Sequence, residues 1–254
     1  MDLPGYVAFD EGRVLLLGVE RARLASLGLD RLETAMTAGE LIRATPHKAI
    51  ARLPGLYIKR YDYDRREVFL KAAIKANFPV FSGRRELENA LALRAAGLPA
   101  PRPLACGEEK RGWRKRSFVV LEEVPGVALE RLEPPRALVE RRAIVLSVAR
   151  LVRALHGAGF AHRDLYLANI IKEGEKLGIV DLERVKRREG GPSARAIRKD
   201  LAALDYSAAR WSATDRARFL REYLGVARLD SRAKTLARAV RAKARAIARK
   251  GSKR

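Results

Sequence analysis

The residues best equipped for chemistry form one short run, His162-Arg163-Asp164-Leu165-Tyr166-Leu167-Ala168-Asn169. A carboxylate in such a loop can accept or orient the proton of an acceptor hydroxyl. An Asn one loop turn later can reach a metal held on nucleotide phosphates. Twelve residues past Asn169 stands Asp181, closing the apolar stretch Leu177-Gly178-Ile179-Val180. Taken alone, Asp181 reads as an ordinary strand-terminating carboxylate. With the loop upstream it reads as a ligand, because Mg²⁺ is a hard cation that takes carboxylate and phosphate oxygens. Asn169 and Asp181 are therefore the candidate metal residues, bridging through Mg²⁺ to ATP.

The run matches the H-R-D-L-x-x-x-N catalytic loop of protein-kinase-like enzymes, with the same interval between Asp and Asn. That makes Asp164 the catalytic candidate, with His162 and Arg163 beside it. Lys59, in Leu56-Tyr57-Ile58-Lys59-Arg60, closes a strand as the V-A-I-K lysine of those enzymes does. It would reach the nucleotide's α- and β-phosphates if a carboxylate held it in place. Arg60 is its rival, but alternation puts Ile58 and Arg60 on one face and Tyr57 and Lys59 on the other. The carboxylate is expected from a helix over 82–96, whose apolar stripe is read as Leu87, Ala90, Leu91, Leu93 and Leu98. At 100° per residue Glu86 falls on the edge of that stripe and Glu88 well away from it, so Glu86 is the expected partner. Asp200 has two readings: an anchor beneath the catalytic loop through its backbone amides, or a surface carboxylate on a helix.

These residues need elements to hold them. The first 40 residues read as a mixed cap, with a strand near Arg13–Val19 and one helix over Leu24–Ala38. Lys48–Arg52 and Leu56–Tyr61 read as strands about the Pro54-Gly55 turn. A helix from Arg65 to Asn77 is a further expectation. Ser82 suits an N-cap for the helix 82–96, and Gly97 with Pro99 stops it. Strands follow at Leu104–Gly107 and Ser117–Leu121, with Glu108 to Lys115 as a charged turn between them. Beyond Pro125-Gly126 the chain reads as helical, with Ile144, Val148, Leu151, Val152 and Leu155 at core-facing spacing. Short strands near Asn169–Lys172 and Leu177–Val180 precede helices over 194–210, 214–224 and 231–249. The expected fold is therefore α+β and two-lobed: an N-lobe over 1–124 (cap, ATP-covering antiparallel sheet and helix 82–96) and a helical C-lobe over 125–254.

Composition sets limits. The 254 residues carry 53 Lys and Arg against 30 Asp and Glu, a net charge of +23, which favours polyanionic surroundings such as ATP, nucleic acid or an anionic lipid surface. Cys106 is the one cysteine, so no intrachain disulfide or cysteine-built metal site can form, as suits a reducing cytoplasm. The apolar runs are too short to span a bilayer and no secretory leader is read at Met1-Asp2. From Arg232 to Arg254 the chain is basic with no acidic residue, and Leu236, Val240, Ala244 and Ile247 share a helical face. This helix reads either as an electrostatic membrane attachment or as a terminal helix docked through Leu236 and Val240.

The pieces together resemble the lipopolysaccharide core kinases, the Kdo and heptose kinases of Gram-negative bacteria. The resemblance is carried by Leu56 to Tyr61, Arg84-Arg85-Glu86-Leu87, Gly97 to Pro101, Glu122 to Gly126, His162 to Asn169, Val180 to Arg184, Lys199-Asp200-Leu201 and Phe219 to Leu224. It implies a two-lobed kinase fold, ATP and Mg²⁺, a sugar hydroxyl of the inner core as acceptor, and work at the cytoplasmic face of the inner membrane. The expected state is a monomer. Two features depart from the general kinase pattern. Asp181-Leu182-Glu183 stands in place of Asp-Phe-Gly, and no Gly-rich loop precedes Lys48, so phosphate covering falls to the turn around Thr45–Lys48. A protein kinase is the first rival, but Leu182 to Lys199 offers Ser193 as its one hydroxyl and no Ala-Pro-Glu. A pseudokinase is disfavoured by the joint presence of Lys59, Asp164, Asn169 and Asp181. Nucleic acid is disfavoured as main ligand because the basic C-terminus has no aromatic residue after Tyr223 with which to stack bases.

Overall fold

A computed structural model describes residues 3–64, 66 and 82–251; the helix expected from Arg65 to Asn77 lies outside them, apart from the single residue Arg66. The chain folds as two compact units, one of residues 1–94 with 101–123 and the other of 95–100 with 124–254. The short stretch 95–100, placed in the first lobe on sequence, thus groups with the second unit. Ile179 N donates to Pro99 O at 2.8 Å there, and Pro99 O lies against Gly178.

The first unit is built on a seven-stranded antiparallel sheet. Its strands are β1 (Tyr6–Phe9), β2 (Val14–Leu17), β3 (Glu40–Thr45), β4 (Lys48–Leu53), β5 (Leu56–Asp64), β6 (Pro103–Arg111) and β7 (Arg114–Glu122), in the order β1-β2-β6-β7-β5-β4-β3. One face carries Leu56, Ile58, Phe118 and Val120, which pack with Val14, Leu16, Leu24, Leu29, Leu32 and Ala35 into a closed apolar core. Leu24 lies on α1 (Arg21–Ser26) and Leu32 and Ala35 on α2 (Leu32–Ala35), so the cap covers this face. The single helix expected over Leu24–Ala38 is in fact these two short ones. Gly28, at φ +70, breaks the helical path between them, a conformation that favours glycine. Strands β1 and β3 were not read from sequence, and the segment 108–115 is strand on both sides of Gly112-Trp113 rather than one long turn. Its charges are satisfied across the sheet: Lys115 Nζ meets Glu108 Oε2 at 2.8 Å and Arg116 meets Glu109 Oε2 at 2.6 Å.

The opposite face of β5 receives α3 (Gly83–Ala95). Gly83, its first residue, is pressed onto β7: a Cβ there would lie 1.8 Å from Phe118 O. Its N–H donates to Ser117 Oγ at 3.2 Å. The absence of a side chain at Gly83 lets the helix approach so closely that Glu86, one turn on, meets β5.

The second unit is mostly helical. Helix α4 (Leu138–Gly157) buries Val145, Val148, Ala149, Leu151, Val152 and Leu155, and packs with α6 (Ala213–Leu224), while α5 (Ala194–Ser207) packs with α7 (Ser231–Gly251). Ser212 and Asp215 form a capping box at the start of α6, closing two of its free backbone donors. Helix α7 is docked: Ala233, Val240 and Ala244 are buried while its cations face out. Small antiparallel pairings, β8 (Val127–Ala128) with β10 (Ile170–Glu173) and β11 (Lys176–Ile179), and β9 (Phe160–Ala161) with β12 (Lys186–Arg187), frame the loop 162–169.

Gly83→Ala is expected to push α3 off β7, lowering unfolding stability by about 1–3 kcal/mol or more. Denaturant unfolding of the two proteins measures it. An alanine variant as stable as the parent would show that the close approach does not govern the position of α3.

Candidate active site

In the first unit, Lys59 and Glu86 are joined: Nζ donates to Oε1 at 2.6 Å, with the Glu86 side chain wholly buried. Tyr61 OH donates to the other oxygen, Oε2, at 2.7 Å, so both carboxylate oxygens are engaged. Lys59 and Tyr61 share a face because they are two apart on β5. Arg60 points the other way, into the cap, donating from Nε to Ala35 O at 2.9 Å and also to Ala38 O. It closes carbonyls at the end of α2 and is thereby removed as a rival of Lys59. Glu88 pairs with Arg84 at 2.9 Å on the exposed side of α3. Removing either member of the Lys59–Glu86 pair would strand a buried charge, at about 3–5 kcal/mol.

The turn from β3 to β4 is tight, Pro46-His47, with Lys48 N donating to Thr45 Oγ1 at 3.1 Å. Lys48 pairs in register with Tyr61, and its ammonium lies 5.8 Å over the Tyr61 ring, on the same face as Lys59. A basic residue thus stands where a glycine-rich loop would offer bare backbone.

In the second unit the loop 162–169 is held from several sides. Asp200, fully buried on α5, accepts from His162 N (2.7 Å) and Arg163 N (2.6 Å). The anchor reading of Asp200 is therefore the one the geometry shows. His156 Nε2 approaches Asp200 Oδ2 at 3.3 Å, and His156 Nδ1 meets Tyr223 OH at 2.8 Å, so α4, α5 and α6 all join this network. Farther along, Leu167 N donates to Ser207 Oγ at 2.9 Å and Val180 N to Asn169 O at 3.0 Å. Asn169 Nδ2 donates to Asp164 O at 2.9 Å, which fixes the amide and makes Oδ1 the atom it could offer to a metal.

His162, expected among the catalytic side chains, is fully buried, with Nε2 at 3.0 Å from Val180 O. A carbonyl can only accept, so Nε2 carries the proton. Burial pushes the imidazole below its ordinary value of 6.5, against the pull of Asp200. A neutral, enclosed ring cannot touch a substrate; it ties the loop to the strand end that presents Asp181. Both Arg163 (φ 68) and Asp181 (φ 63) adopt left-handed backbone that non-glycine residues avoid. Such conformations cost about 1–3 kcal/mol each and persist where surrounding bonds over-determine them, as the bonds to Asp200 and His162 do here.

Asp164, less than a third exposed, has Arg184 Nε at 3.7 Å from Oδ2. Lys199 is a further cation near it, half-buried on α5 beside Asp200. Neither was singled out from sequence as a site residue; Lys199 is adjacent to Asp200, and Arg184 ends Asp181-Leu182-Glu183-Arg184. The donors fit Mg²⁺: a carboxylate and an amide oxygen from the protein suit an ion that takes its remaining ligands from phosphates and water.

A β-rich unit with a buried Lys–Glu pair, followed by a helical unit whose H-R-D loop sits on a buried Asp, defines the protein-kinase-like class of phosphotransferases. The sequence model of the lipopolysaccharide kinase (Kdo/WaaP) family matches residues 57–223. The lipopolysaccharide core heptose(I) kinase WaaP of Pseudomonas aeruginosa is 34% identical over 218 residues, 72% of this chain and 79% of its own length. A 3-deoxy-D-manno-octulosonic acid kinase of Stenotrophomonas maltophilia is 38% identical over 95 residues, 37% of each chain. Among solved structures, WaaP in complex with acyl carrier protein matches with a TM-score of 0.66 at 26% identity, covering 95% of this chain and 98% of that one. The chain belongs to the Kdo/WaaP lipopolysaccharide kinase family and is a kinase.

The depressed pKa of His162 carries a sign. The folded state favours the neutral ring, so its contribution is present above about pH 6.5 and is lost as pH falls below that. The unfolding free energy should therefore drop between pH 7 and pH 5, and the drop should shrink in His162→Gln. Equal pH slopes for the two proteins would contradict the buried neutral ring.

Proposed function

We propose that this kinase transfers the γ-phosphoryl group of ATP to a sugar hydroxyl of the lipopolysaccharide inner core, on heptose or Kdo. The observation that carries the reading is Asp164, held at a fixed height by Asp200 in a chain of the Kdo/WaaP family. The acceptor hydroxyl loses its proton to the Asp164 carboxylate while its oxygen attacks the γ-phosphorus and ADP departs. Lys59, set by Glu86, steadies the α- and β-phosphates. Asn169 Oδ1 and Asp181 would hold Mg²⁺, which would supply positive charge against that developing on the phosphates. The turn at Thr45–Lys48 covers the phosphates, with Lys48 supplying charge in place of glycine amides.

Two partners belong to the same reading. No helix among the described residues is long and apolar enough to cross a membrane. The outward cations of α7 would hold the enzyme at the anionic cytoplasmic face of the inner membrane, each contributing about 1 kcal/mol. Acyl carrier protein, the partner in the similar WaaP structure, is the second. A cavity of about 530 Å³ between α4, α5, α6 and α7, lined by Ile144, Val148, Leu204, Phe219 and Val240 and edged by Lys234, Arg238 and Arg241, gives an acyl chain an apolar site beside positive charge.

Asp164→Asn should remove at least a hundredfold of turnover while sparing ATP binding, and Asp181→Asn should weaken the Mg²⁺ dependence of nucleotide binding. Labelled ATP with Kdo-lipid A, heptosylated core, free sugars and a generic protein is the assay. Full activity in Asp164→Asn, or transfer to the protein alone, would overturn the assignment. For the membrane, Lys243→Glu with Arg245→Glu keeps the docked face of α7 intact. The parent should pellet with anionic vesicles at low salt and be released as salt rises, and the double variant should bind less. Equal pelleting would exclude α7 as the attachment.

A further inference from the structure

A fully buried tyrosine stands behind the Lys59–Glu86 pair. Tyr61 lies two residues beyond Lys59 on β5 and is closed off from solvent. Its hydroxyl donates to Glu86 Oε2 at 2.7 Å, while Oε1 of the same carboxylate takes the Lys59 ammonium at 2.6 Å. Ser117, the partner of Tyr61 across the sheet on β7, is buried as well, and its Oγ accepts from Gly83 N at 3.2 Å. Two neighbouring hydroxyls thus fasten the first turn of α3 to the sheet, one at Gly83 and one at Glu86.

Filling space does not require the Tyr61 hydroxyl, because phenylalanine has the same ring, and a buried hydroxyl is costly unless it is bonded. What the hydroxyl adds is direction. The last torsion of a glutamate is broad, and either oxygen can turn to a cation. A second donor on the other oxygen fixes that torsion and with it the point at which the ammonium is held. Lysine needs such a fixed point, since its charge rides on a flexible four-carbon stem.

We propose that Tyr61 is a positioning residue of the nucleotide site, acting through Glu86 to set the Lys59 ammonium for the phosphates of ATP. This rests on the reading of Lys59 as the phosphate-binding lysine and deepens it: the Tyr61 hydroxyl governs affinity for the phosphates and not for the nucleoside.

The readout is the affinity that the phosphates add, taken as the ratio of the inhibition constants of adenosine and ADP in competition with ATP. Tyr61→Phe keeps the ring over which the Lys48 ammonium lies and removes the hydroxyl alone. In that variant the ratio should fall about five- to tenfold, through weaker ADP binding, with adenosine and the acceptor KM unchanged. Replacing Tyr61 by para-aminophenylalanine returns a donor to Glu86 and should restore the ratio. Lys59→Met with Glu86→Gln removes the pair without stranding a charge, and in that background Tyr61→Phe should cost nothing further. An unchanged ratio in folded Tyr61→Phe, or equal losses for adenosine and ADP, would overturn the proposal. So would the same loss in the background that lacks the pair. A ratio unmoved by removing the pair itself would instead overturn the reading of Lys59 beneath it. Should Tyr61→Phe fail to fold, a ring-fluorinated tyrosine at position 61 in the otherwise intact chain supplies the answer. Its fluorine resonance should shift when ADP binds and hold still with adenosine; a resonance indifferent to ADP would overturn the proposal.

Discussion

The second unit turns on one buried carboxylate. Asp200 accepts two backbone N–H groups from consecutive residues, His162 and Arg163, and meets His156 with its second face. Two amides on one carboxylate fix the direction of the peptide between them, which is why Arg163 holds a backbone conformation it would otherwise leave. The direction of Asp164 follows from that peptide, and Asn169 follows from Asp164 through the bond to its carbonyl. His162 then passes the same rigidity to Val180 and Asp181. Asp164, Asn169 and Asp181, the residues proposed as proton acceptor and metal ligands, are thereby placed through one buried side chain.

In the first unit the corresponding constraint is steric. Gly83 allows α3 to lie directly on the β7 backbone, and Glu86 reaches Lys59 because of that approach. The strand β5 serves both faces at once. Its odd positions carry Lys59 and Tyr61 to the Glu86 carboxylate, and its even positions carry Ile58 to the core and Arg60 to the carbonyls of α2. The cap is thus bonded to the residue next to the site lysine.

Much of this was legible because it depends on period and spacing. Helical phase separated Glu86 from Glu88, and strand alternation separated Lys59 from Arg60. What escaped depends on neighbours distant in sequence. Strand β3 is exposed throughout, so it lacks the alternation that marks a half-buried strand. Glu108 to Lys115 looks like a turn by charge alone, yet those charges are answered across the sheet, as Glu109 is by Arg13 and Arg116. The helix expected across Gly28 fails because one residue's backbone conformation outweighs a favourable apolar pattern. Asp200 stayed ambiguous since its partners are amides 37 and 38 residues away. Arg184 and Lys199 carry no period of their own, and only the folded loop brings them to Asp164.

The strand order has a consequence for how the chain is made. Strand β2, ending at Leu17, pairs with β6, which starts only at Pro103, and β6 in turn needs β7. During synthesis the β1–β2 hairpin must wait for some hundred later residues before its sheet neighbour β6, and the Phe118 and Val120 side of its core, exist. At roughly 5–20 residues per second that interval lasts on the order of 5–20 s. The nascent β1–β2 segment therefore spends those seconds with the β2 edge unpaired and its core half-built, a span in which a chaperone at the ribosome has its clearest opportunity to bind.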